Sequence, residues 1–122
     1  SAAPKPPEFT VLGSYPLTSN DPDATACIVD AFHAQFGDKA LEGKPAAASE
    51  DFSVFGRTWD VPYVFWFVGG TDPATYEAAR KEGTVRQIPS NHSPRFAPVL
   101  EPTLKTGLQA MLTAASPWLC AS

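Results

Sequence analysis

Apolar residues return at helical spacing near both ends of the chain and run almost unbroken through one stretch near its middle. Ala24, Ile28, Ala31, Phe32 and Phe36 follow the first pattern. Asn20 and Asp21 offer side-chain acceptors for the open backbone amides of a helix start, Pro22 fits its first turn, and Gly37 fits its end. A second, shorter helix is expected with Ser49 as its cap, Glu50 and Asp51 in its first turn, Phe52 and Phe55 on its apolar side and Gly56 closing it. Asp72 and Pro73 open a third helix that runs to Glu82 and stops at Gly83; its polar composition places it at the surface. The last helix begins near Glu101 and Pro102 and carries Leu104, Leu108, Met111, Leu112 and Ala115 as an apolar stripe, with Trp118 beyond, so it is expected to pack across a sheet.

Residues 61–68 are aromatic, β-branched and apolar, bounded by Asp60 and by Gly69 and Gly70. That composition predicts a central strand covered on both faces. Residues 9–12 predict a short strand stopped by Gly13 and Pro16, and weaker strand candidates lie around Leu41 and Val85. Strands alternating with short helices indicate an α/β fold, a mixed sheet flanked by helices. So few strands leave that sheet incomplete by itself. Residues 1–8 are small and proline-rich and predict a linker or disordered end.

Composition narrows the function classes. Charged residues are 18% and apolar residues 43% of the 122, which supports a buried core and argues against a charge-driven disordered segment. Thirteen prolines argue against a bundle of long helices. A net charge of −4 with scattered basic residues gives no footprint for nucleic acid or an anionic membrane, and no apolar run approaches the ~20 residues of a membrane span. Cys27 and Cys120 lie far apart without CxxC spacing, which fits a reducing, cytoplasmic setting better than a disulfide framework. Cys27, within an apolar helical run, is expected to be a packed thiol.

The candidate chemistry is sparse. His33 lies within the first helix and is expected to be an ordinary surface or half-buried imidazole. His92 lies in a loop, IPSNHSPRF, between prolines that limit its backbone freedom; it is either a loop imidazole with ordinary hydrogen bonds or a metal ligand. A catalytic zinc takes three protein ligands, and the chain has no HExxH, HxH or HxD pair to supply them. Glu50 and Asp51 are either helix-capping carboxylates or groups that orient a ligand or substrate near a metal. Gly69 and Gly70 either make a turn or leave room for a substrate at the end of the expected strand. GxGxxG and GxSxG are both absent, which removes the dinucleotide-binding and serine-hydrolase readings.

Taken in order, YPLTSNDP before a helix, ASEDFS, an apolar run ending in glycine, NHSPRF and LEPTLKTGLQAM resemble the C-terminal part of the metal-dependent amidohydrolases. This is the family of hippurate hydrolase, auxin-conjugate hydrolases, aminoacylase and related carboxypeptidases. The resemblance covers about residues 9–119. It implies a parent with two divalent metal ions, zinc or manganese, that cleaves an N-acyl amino acid or peptide with metal-activated water and a glutamate base outside this chain. By resemblance His92 is the last metal ligand, and Glu50 and Asp51, with Ser49, Asn91, Gly69 and Gly70, position substrate or ligands around it. Residues 9–14 resemble the tail of an inserted lid domain and residues 15–122 the return into the catalytic domain. The resemblance further implies a homodimeric parent whose N-terminal catalytic part is this chain's partner, and an isolated chain with little activity. The alternative is a small non-catalytic binding module in which the loop around His92 meets a partner; a third reading is a structural domain of a larger assembly.

Overall fold

The computed structural model describes residues 5–48 and 50–119. Among these lie α1 (Pro22–Phe36), α2 (Ser53–Trp59), α3 (Pro73–Glu82) and α4 (Leu100–Leu119), with 3-10 turns at Gly37–Lys39 and Val85–Gln87. No strand occurs among the described residues. The expected α/β fold with its mixed sheet is therefore corrected to an all-helical arrangement joined by irregular segments. A strand exists only through its neighbours, and residues 9–12 lie exposed while Val85 falls in a 3-10 turn. Proline discouraged long helices in the sequence, yet Pro22 and Pro73 sit at helix starts, where the missing N–H has no cost.

Two helices end where their capping residues dictate. Asp21 accepts the Ala24 N–H at 2.8 Å, and Gly37, at φ 55°, terminates α1 by donating its N–H to the His33 carbonyl. In α3 the Asp72 carboxylate accepts the Thr75 N–H at 2.8 Å and the Thr75 hydroxyl at 3.0 Å. Those bonds to Thr75 hold the Asp72 carboxyl below its ordinary range. Gly83, at φ 71°, closes α3 in a left-handed conformation that a side chain would strain.

α2 differs from expectation. It starts at Ser53, so Glu50 and Asp51 precede the helix rather than occupying its first turn, and Gly56 lies inside it. Asp60, at φ 51° and ψ 49°, makes the left-handed end instead. Gly56 is needed for contact: a Cβ there would run into the Tyr63 ring and approach the Val61 carbonyl oxygen to 3.0 Å. Ser49, the expected cap, lies outside the described residues.

Residues 61–70 carry no regular structure, but they are not free. The Asn20 side chain brackets Phe65, donating from Nδ2 to its carbonyl at 2.9 Å and accepting its N–H at Oδ1 at 2.8 Å. Asp21 donates its N–H to the Tyr63 carbonyl at 3.0 Å. Trp66 stands edge-on to Phe32 of α1 with centroids 5.5 Å apart, while Tyr63 and Phe65 lie 6.1 and 5.4 Å from Phe52, just before α2. Tyr63 and Phe65 thus face Phe52 and Trp66 faces α1. The run is half-buried at residues 63–66, exposed at Val61, Phe67 and Val68, and clamped by one amide side chain where a strand was expected.

α4 packs on α1 through its small residues. Ala110 and Ala114 are buried there with Ile28 of α1. Glu101 is non-helical at φ −109° and ψ 132°, so the regular part starts at Pro102. Pro117 lacks the N–H that would bond the Thr113 carbonyl, and the Ser116 hydroxyl donates to that carbonyl at 2.8 Å. The stripe expected to pack across a sheet points elsewhere: Leu104, Leu108, Met111 and Leu112 are each between 61% and 64% exposed.

The chain exposes 10610 Å². A compact monomer of 13.0 kDa exposes about 6,300 Å². The surplus comes from residues such as Phe9, Leu12, Leu17 and Phe67 as well as from α4.

Candidate functional site

The loop around His92 is built from two consecutive turns. The Ser93 N–H donates to the Ser90 carbonyl at 3.0 Å, and the Phe96 N–H donates to the Ser93 carbonyl at 3.0 Å. The Ser93 hydroxyl accepts the Arg95 N–H at 3.2 Å and stiffens the junction. Asn91 and His92 are the central residues of the first turn, and both are exposed. His92 takes φ 70° at the turn's third position, where glycine or asparagine is usual. A side chain in that conformation costs ~1 kcal/mol, and such outliers gather at functional positions, although histidine tolerates the region better than most residues.

Gly70 ties this loop to the rest of the molecule. The Val99 N–H donates to the Gly70 carbonyl at 2.9 Å, and a Cβ on Gly70 would meet the Pro98 Cβ at 3.0 Å. Its role is close approach, since neither Gly69 nor Gly70 has a positive φ. Gly69 is exposed with open space around it.

Glu50 has a different task from the expected one. One carboxylate oxygen accepts the Thr18 hydroxyl and the other accepts the Phe52 N–H at 2.6 Å, which joins the segment before α1 to the entry of α2. Its carboxylate is engaged in holding the backbone. Asp51 is exposed, and its carbonyl accepts the Val54 N–H at 3.0 Å. Ser53, at the start of α2, is buried with its hydroxyl unpartnered. His33 is exposed in the last turn of α1, and Cys27 is an exposed thiol on α1 rather than a packed one. Its expected counterpart in the cysteine reading, Cys120, lies outside the described residues.

The structure brings Gly70 and the segment leaving the His92 turns together, and Glu50 and Thr18 together. Among the described residues no three His, Cys, Asp or Glu side chains group closely enough to hold a metal ion. The donor set of these residues thus does not complete a metal centre. Thr18, Asn20 and Tyr63 are the contributors that sequence reasoning missed; Asn20 and Asp21 together mark a helix start, and nothing in that pattern reveals that the amide reaches Phe65, 45 positions away. No helix among the described residues is long and apolar enough to cross a membrane. No family model matches the chain.

Proposed function

We propose that the chain is one portion of a metal-dependent amidohydrolase acting in the cytoplasm on N-acyl amino acids or small peptides, and that it supplies His92 as one nitrogen ligand of a two-metal centre. The supporting observation is the His92 turn itself. An exposed imidazole is kept at φ 70° inside the first of two consecutive hydrogen-bonded turns, and the segment that follows is anchored through Val99 to Gly70. Its neighbours within the described residues form no metal-holding group, so the other ligands and the general base belong to further polypeptide. The 10610 Å² of exposed surface favours such a partner, because obligate interfaces resemble a core cut in two. Zinc or manganese would supply Lewis acidity to the bound water; this chain's own contribution is to orient the imidazole.

The experiment is His92→Ala in the complete enzyme, read by metal content and by turnover of N-acyl amino acids. Loss of about one metal equivalent with loss of hydrolysis is expected. Unchanged metal content and turnover would remove the assignment. A complete protein no longer than this chain, without metal and with a ligand perturbing the His92 turns, would instead favour the non-catalytic binding module.

A further inference from the structure

We draw no further inference here: the strongest candidate, the surface patch along residues 64–68 where the backbone groups of Val64, Trp66 and Val68 have no partner among the described residues while Asn20 and Asp21 hold Phe65 and Tyr63, carries nothing, because nothing in the structure shows what covers it.

Discussion

Replacing Asn20 with alanine removes the one side chain that satisfies both backbone groups of Phe65. The amide makes two bonds, at 2.9 and 2.8 Å, between positions 45 apart in sequence. A net hydrogen bond contributes about 0.5–1.5 kcal/mol, and the half-buried N–H and carbonyl left behind add a desolvation cost, so Asn20→Ala should lose about 2–3 kcal/mol. For a domain of this size that lowers the melting temperature by roughly 10 °C. The loss should be visible locally as well, because Trp66 follows Phe65 and rests on Phe32, 5.5 Å away. Urea unfolding followed by tryptophan fluorescence measures the stability, and near-UV circular dichroism measures the packing of the ring pair. Asn20→Asp keeps an acceptor for the Phe65 N–H but turns a carboxylate oxygen toward the Phe65 carbonyl, so it should recover at most about half of the lost stability. A loss under about 0.5 kcal/mol in Asn20→Ala, or full stability in Asn20→Asp, would show that the bracket is not what positions residues 61–68.

The remaining expectations concern the turns and caps. Gly56→Ala should destabilise by about 1–2 kcal/mol in chemical denaturation despite alanine's better helix propensity, because the new Cβ displaces Tyr63; a gain in stability would show that Tyr63 does not rest there. His92→Gly should stabilise the isolated chain by about 0.5 kcal/mol by relieving the positive φ, while in the complete enzyme it should remove metal; a destabilised chain in urea would contradict the strain argument. The depressed Asp72 carboxyl sets a pH dependence: its stabilising bonds to Thr75 are fully present above the ordinary value of 3.8 and are lost as pH falls through the lowered value. The Thr75 amide resonance should therefore titrate below pH 3.8, with α3 fraying at its start, and a midpoint above that value would refute the assignment.

Local chemistry made the limits of α1 and α3 legible. Asp21 with Pro22 and Asp72 with Pro73 act within one turn of themselves, and Gly37 and Gly83 end those helices through their own backbone angles. The short α2 was harder, because its position follows from partners that pattern does not reveal: Thr18 draws Glu50 out of the first turn, and Tyr63 places Gly56 in mid-helix. The site was legible to the same extent. The prolines flanking His92 indicated a constrained loop, but its positive φ is visible only once the Ser90 carbonyl and Ser93 N–H close the turn.

Residues 61–68 and the stripe of α4 show why hydrophobic pattern alone misassigned the fold. An apolar run states that side chains will be covered, and a stripe at helical spacing states that one face will be; neither states by what. Within residues 61–68 only the middle is half-covered, Trp66 by Phe32 on one helix and Phe65 by Phe52 ahead of another, with the Asn20 amide where a neighbouring strand was expected, while Val61, Phe67 and Val68 stay exposed. In α4 the inner face was chosen by size rather than by hydrophobicity, since Ala110 and Ala114 let α1 approach closely while the leucines would hold it away. The larger side chains Leu104, Leu108, Met111 and Leu112 are then left outward, and among the described residues only the small-residue face of α4 is covered.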